Sequence, residues 1–325
     1  MVSVLIIVIG ISLLILVHEL GHFLAAKYFK VPVEEFGFGF PPRVFSKKIG
    51  ETKYSLNWLP FGGFVKLHGE FNGDDPKSFV KQKAWKRTII LAAGVKMNFI
   101  FGWLLLSVVF FIGAPSYVLV NKVLLESPAA LSGILEGDRL SGFSSAKEFT
   151  DFIKNNQNKE ITLKIFRQEE NNLKEMEIKA VPNETLGVMI TDIGLPKQSF
   201  IKSIGNGFIT SLSIIWAILI ALGSVFSSTQ NFVGPIGIFD VAIQTGKLGA
   251  IYVFQLLALI SLNLTVLNLL PIPALDGGRL FFVIIEKLRG KAFSPLIEIR
   301  ANMIGFTVLI ALIIFVTFSD ILRLI

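Results

Sequence analysis

Two histidines four residues apart, with a glutamate beside the first, stand in an otherwise uncharged apolar run from Met1 to Ala26: His18-Glu19-Leu20-Gly21-His22. On a helix, positions i and i+4 share a face. Both imidazoles can then hold one divalent ion, with Glu19 close enough to serve as general base. An ionisable side chain near the centre of a membrane helix costs about 2.5–3.5 kcal/mol on insertion scales. Three together persist where they bind something, so the chemistry implied is metal-assisted hydrolysis inside a bilayer.

A catalytic zinc takes three protein ligands and keeps one position for water. The chain has no cysteine and three histidines, His18, His22 and His68. Any metal must therefore be held by imidazole and carboxylate, and the same donors suit other divalent ions too. The best candidate for third ligand is Asp276, in the stretch Asn268-Leu269-Leu270-Pro271-Ile272-Pro273-Ala274-Leu275-Asp276-Gly277-Gly278-Arg279. Two prolines and two glycines break the helix there. Broken backbone at membrane depth is tolerated where it is buried or lines a wet cavity. Glu34, Glu35 and Glu70 lie in charged loops and read as solvated.

The elements that must carry these groups are written in the composition. Of 325 residues, 52% are hydrophobic and 17% charged, against about 25% charged in a soluble domain. The apolar residues gather in blocks, so the class is an α-helical multi-pass membrane protein. The basic residues behind the net charge of +7 cluster between apolar blocks, which fits topology signals and not nucleic-acid binding. The N-terminal block lacks a positive start and a small-x-small cleavage site, so it reads as a membrane helix and not a signal peptide.

Four blocks are expected to span: Val2–Tyr28, Thr88–Ala114, Gly249–Leu270 and Asn302–Ser319. A fifth, Gly207–Ser227, is long enough to cross. Residues 28–87 hold 11 Lys and Arg against 6 Asp and Glu, which places them in the cytoplasm and the N-terminus outside. The basic residues after Leu270, from Arg279 to Arg300, also belong inside. Only one crossing then fits between 207 and 270, so 207–227 is expected as an outer-face amphipathic or partly inserted helix. About 17 residues precede His18, roughly 25 Å of helix. Both His18 and Asp276 then fall towards the cytoplasmic side. The expected division is 1–114 (two spans with a cytoplasmic membrane-associated β-loop at 36–70), 115–186 (a small α+β domain), 187–248 (an outer-face linker) and 249–325 (two spans with the Asp-Gly motif). The aromatic, glycine-rich stretch 36–70 reads as a β-hairpin or loop against the inner face of the membrane. In the small domain, Val118–Leu125, Ile161–Arg167 and Leu173–Ala180 read as strands and Ala146–Lys154 as an amphipathic helix.

Together these residues resemble the site-2 protease family of intramembrane zinc metalloproteases, in the bacterial branch typified by the regulator of sigma-E protease. The metal motif matches at His18–His22. The Asn-Pro-Asp-Gly-type motif matches in the form Pro273–Gly278. The Gly-Pro-Ile motif matches at Gly234-Pro235-Ile236-Gly237, and the membrane β-loop at Phe61-Gly62-Gly63-Phe64-Val65-Lys66. The second span departs from the family's Gly-Pro-x-x-Asn and reads Gly94-Val95-Lys96-Met97-Asn98.

The resemblance implies one zinc ion held by His18, His22 and Asp276, with Glu19 as catalytic base and acid. It implies a single PDZ-like domain at 115–186 on the outer side of a cell inner membrane, suited to excluding bulky substrates. The implied substrates are single-span membrane proteins of anti-sigma factor or signal-peptide remnant type, met in the lipid bilayer, with no nucleic acid involved. A substrate helix must unwind before water can reach its carbonyls, and the edge at 54–67 could receive it as an added strand. Asn268, Asn98, Gly63 and Phe64 are the expected substrate contacts. The sequence leaves oligomeric state open. A metal-binding transporter would show paired broken helices in repeated halves, and no such repeat is present.

Overall fold

A computed structural model describes residues 2–71, 73, 75–169, 172–183, 185–224, 237, 241–243, 245–246 and 249–324. In chain order its elements begin with α1 (Val2–Tyr28), β1 (Val33–Ile49), β2 (Thr52–Leu67), a 3-10 turn (Phe79–Lys81) and α2 (Ala84–Ile112). Then come β3 (Ala114–Val123), α3 (Pro128–Ser132), β4 (Arg139–Leu140), α4 (Ala146–Asn155), β5 (Ile161–Glu169), β6 (Asn172–Ala180) and β7 (Val188–Leu195). The last are α5 (Phe200–Ser224), α6 (Ala250–Leu267), α7 (Asp276–Arg289) and α8 (Pro295–Leu324). The chain divides into two compact units, Phe110–Ser199 and the remainder, Met1–Val109 with Phe200–Ile325.

In the larger unit, five helices among the described residues are long and apolar enough to cross a membrane: α1, α2, α5, α6 and α8. The four expected spans lie on α1, α2, α6 and α8. The fifth, α5, starts seven residues earlier than the expected 207. Of the Gly234–Gly237 motif, only Gly237 falls within the described residues; its N–H donates to Asp320 Oδ2 at 2.9 Å.

Small residues bring these helices together. A Cβ on Gly21 would lie 2.3 Å from the Ala93 carbonyl oxygen, and one on Gly102 would lie 2.9 Å from Leu262. The backbones of α1 and α2 thus meet directly, and α6 seats a leucine on α2. This is how helices associate when the surroundings are as apolar as their side chains. Polar links add to it: Ser261 Oγ donates to the Asn98 carbonyl at 2.8 Å, and Trp103 Nε1 to that of Ile204 at 2.9 Å.

Strands β1 and β2 form more than a hairpin. Glu35–Phe38 pair on one side with Gly63–Lys66 and on the other with Lys53–Leu56, while Arg43–Ile49 pair with Thr52–Asn57. Two long strands are folded over into four rows, with 63–67 along one margin. The fold-over lies where regular strand is hardest to continue: Gly39 and Gly62 have positive φ, and Pro41-Pro42 interrupts β1. A side chain on Gly39 would strike the Leu59 carbonyl, 2.4 Å from its Cβ.

The smaller unit is a five-stranded antiparallel sheet in the order β6-β5-β4-β3-β7 with two short helices. Its core gathers Val118, Val120, Ile134, Leu140, Phe149, Ile153, Leu163, Ile165 and Leu186, the inward alternate residues of the strands and the apolar stripe of α4. Both helices are capped as their sequences suggest. Ser127 Oγ accepts from Ala130 N–H ahead of Pro128, and Ser145 Oγ accepts from Glu148 N–H while Glu148 reaches back to Ser144. Asp138, fully buried, accepts from Leu135 N–H and two Arg167 nitrogens. The expected boundary at 186 falls short. Strand β7 lies beyond it and completes the sheet against β3, so the unit runs to Ser199.

Candidate metal centre

The α1 helix presents His18 and His22 on one face, each 8% exposed. Their Nε2 atoms are 3.2 Å apart, and one oxygen of Asp276 lies 2.9 Å from His18 Nε2 and 3.1 Å from His22 Nε2. Residues 254 positions apart in sequence thus converge on one point. The three are the one group of His and acidic side chains among the described residues that could hold an ion.

Asp276 is carried there by an unusual turn. Asn268 ends α6, and its carbonyl accepts the Gly277 N–H at 2.7 Å. A Cβ on Gly277 would lie 2.1 Å from the Leu270 carbonyl oxygen, and one on Gly278 would lie 2.3 Å from that of Ile272. The double glycine therefore lets α7 begin flush against the end of α6. Ala274 takes a positive φ of 77° and donates its N–H to Asn302 Oδ1 of α8 at 3.0 Å. A Cβ on Gly305 would lie 2.3 Å from the Pro273 carbonyl oxygen, so α8 closes on the other side of the turn.

Helix α2 backs both histidines. His22 Nδ1 lies 2.8 Å from the Ile90 carbonyl oxygen. A carbonyl only accepts, so Nδ1 carries the proton and Nε2 offers its lone pair. Gly94 leaves room for the rings; its Cβ would sit 2.4 Å from His22 Nε2 and 2.8 Å from His18 Cε1. Asn98, fully buried, places its amide 3.1 Å from His18 Nδ1. Its side chain reaches a histidine, whereas the sequence reading expected a substrate contact. Lys96, the charged departure from the family pattern, is exposed.

Glu19 shares a cavity of about 170 Å³ with His22, Phe64, Val65, Leu67, Glu70, Leu91, Asp276 and Arg279. Val65 lines the same cavity, and the Glu19 Cγ is 3.6 Å from where a Cβ of Gly63 would be. The margin 63–67 of the folded sheet therefore runs past the general-base candidate. Of the expected substrate contacts, Gly63 and Phe64 are at the cavity or beside Glu19. Asn268 contributes its backbone to the turn, with its side chain half-buried.

Two residues at the cavity have roles the sequence reading missed. Glu70, read as solvated, pairs with Arg279 Nη1 at 2.7 Å, and Arg279 also lies 3.9 Å from Glu298. Beside them Arg87 pairs with Glu286 at 2.6 Å, and both guanidiniums lie over Phe79. Arg279 stands three residues after Asp276, on the same helical face, which was the available signal. Nothing in the local sequence marks Glu70, whose partner is 209 residues away.

The donor set suits zinc. Two imidazoles and a carboxylate form a known catalytic combination, and tetrahedral ligands about 2.0–2.2 Å from one ion stand about 3.3–3.6 Å apart. The observed separations of 2.9, 3.1 and 3.2 Å are close to that.

The profile of peptidase family M50 matches residues 6–312. A Clostridium perfringens protein provisionally named a zinc metalloprotease is 35% identical, over 96% of each chain. The regulator of sigma-W protease RasP of Bacillus subtilis is 28% identical, also over 96% of each. A zinc metalloprotease RasP of Bacillus licheniformis is 28% identical over the same shares. With the match running from the first helix into the last, this chain belongs to peptidase family M50, the site-2 family of intramembrane zinc metalloproteases.

Proposed function

We propose that this protein hydrolyses peptide bonds within or near the membrane-spanning segments of single-span proteins, using one zinc held by His18, His22 and Asp276. The observation that carries the reading is the convergence of those three side chains beside Glu19 in one small cavity. When bound, zinc would lower the pKa of its water to about 7 and polarise the scissile carbonyl. Glu19 would be the general base for that water and the acid for the leaving amine. A helix ties its carbonyls into internal hydrogen bonds, so substrate is cut unwound. The margin 63–67 offers the place for it to lie, as an added strand, with Gly63 and Phe64 against it and Asn268 near the turn.

Four crossings remain our topology, with α5 a partly inserted outer helix. Its Ile204, Gly207 and Phe208 touch Trp103, Ser107 and Phe99 of α2. Its Ile214 and Ile215 pack where Ala258 and Leu262 of α6 meet Leu106. On α2 these contacts lie between Phe99 and Ser107. The β-loop lies at the inner face, where exposed Phe40, Phe45, Leu56 and Trp58 suit lipid. The unit 110–199 is a PDZ-like domain on the outer side, and substrates of anti-sigma factor or signal-peptide remnant type fit this arrangement. The name of the Bacillus subtilis relative, a regulator of sigma-W protease, agrees with the former.

The test is cleavage of a model single-span protein in proteoliposomes, with metal analysis of the same preparations. Wild type is expected to cut and to carry one zinc. Glu19→Gln should keep zinc and lose cutting, and Asp276→Ala should lose both. Equal cutting by wild type and Glu19→Gln would refute the mechanism.

A further inference from the structure

The two histidines differ in how their outward nitrogens are held. His22 donates to a backbone carbonyl, that of Ile90. His18 Nδ1 lies 3.1 Å from the side-chain amide nitrogen of Asn98, whose Oδ1 is buried without a hydrogen-bond partner. Ile90, Gly94 and Asn98 are spaced by four on α2 and form one stripe beneath the rings. Metal-bound imidazoles nearly always give their second N–H to an acceptor that fixes tautomer and ring orientation. We infer that Asn98 is the positioning residue for His18, its amide oxygen accepting the Nδ1–H and leaving Nε2 free for the metal.

Three observations carry this. His18 Nε2 is the atom that meets Asp276 and His22; a metal held there would need its lone pair, which puts the proton of the neutral ring on Nδ1. The two ends of an amide have the same shape, so the side chain can be turned over in place to bring its oxygen to Nδ1, and only the oxygen can receive that proton. Asn98 is 0% exposed, so neither solvent nor substrate competes for its side chain. Its place in α2 is fixed separately, since Ser261 of α6 donates to its backbone carbonyl. Gly94 makes room for the rings, and Asn98, one turn on, orients one of them. That gives the Gly94…Asn98 spacing a physical meaning independent of the proline missing between them.

The inference rests on the zinc reading of His18, His22 and Asp276, and the experiment separates the two. Zinc affinity is measured by chelator competition on purified full-length protein. The set comprises wild type, Asn98→Leu, Asn98→Asp, Ser261→Ala and Asp276→Ala. Asn98→Leu keeps the volume in a form at home in a membrane helix and is expected to weaken zinc about 10–100-fold. Asn98→Asp retains an acceptor but no donor and should bind within a few-fold of wild type. Ser261→Ala, which removes the link to the Asn98 backbone alone, should bind as wild type does. Should Asn98→Leu prove poorly folded, the contrast between Asn98→Asp and wild type still decides. A fall as large as that expected for Leu would mean that the amide acts as donor or packing, and would overturn the assignment. Unchanged affinity in Asn98→Leu would overturn it as well. Absence of zinc from wild type, or its retention in Asp276→Ala, would strike the zinc reading instead.

Discussion

The two units of this chain are held together by different means. Phe110–Ser199 has the interior of a water-soluble domain, with large apolar side chains from five strands and α4 in one cluster. Its stability comes from apolar area withdrawn from water. In the membrane unit the clusters where α6 meets α1 and α2 hold three buried residues each, while a larger one, with Val33, Leu67, Phe79, Leu91 and Leu280, lies beside the folded sheet. Between its helices, glycines lie against backbone and polar groups against each other. Water does not drive helices together in lipid, so close approach and polar contact set their arrangement. The lesson is that glycines determine the site in one unit, while side-chain volume determines the fold in the other.

Four changes would break or sharpen that contrast. Gly94→Ala is expected to have the largest effect. Its Cβ would fall 2.4 Å from a zinc-facing nitrogen, so the purified protein should lose nearly all its metal; a normal zinc content would show that the rings have room to spare. Leu163→Ala removes a core side chain that is 2% exposed. It should destabilise the inserted unit by about 2–5 kcal/mol, read as faster hydrogen exchange in β5, with zinc content unchanged. Gly137→Ala, at φ 90° with no atom within 4 Å, should cost only the backbone penalty of about 1–2 kcal/mol. Steric loss comparable to that of Gly94→Ala would erase the distinction between the units.

The smallest effect is electrostatic. The Lys66 ammonium, with help from His68, holds the Glu34 carboxyl below its ordinary range. A depressed folded pKa stabilises above the unfolded pKa of about 4.5, and that stability is lost as pH falls through the folded value. Glu34→Gln should therefore cost about 0.2–1 kcal/mol at pH 7, since both partners are solvent-screened. The cost should shrink as pH falls from 7 towards 3. Thermal melts at the two pH values would show equal shifts if this ion pair contributes nothing.

The candidate metal ligands were legible because membrane helices tolerate few ionisable groups. His18, Glu19, His22 and Asp276 stood out against apolar or broken surroundings. The core of the inserted unit was legible through alternation in β5 and β6. Strand β7 was not, because Val188–Leu195 carries Thr191, Asp192 and Gly194, and its strand form comes from pairing with β3. The doubled pairing of Glu35–Phe38 was hidden for the same reason: register between distant segments leaves no local pattern. Glu70 and Asn98 were placed by contacts with Arg279 and His18 that no spacing rule anticipates.

Ala274, an L-residue held at φ 77° two positions before the metal-facing carboxylate, pays about 1–2 kcal/mol that glycine would not. Its amide is pinned to Asn302, and the neighbouring Pro273 carbonyl leaves no room for a side chain at 305. The bend is thus a loaded spring whose release would make the chain hardier and its aim poorer. Thermostability screens should find Ala274→Gly among their gains and activity screens should find it among their losses.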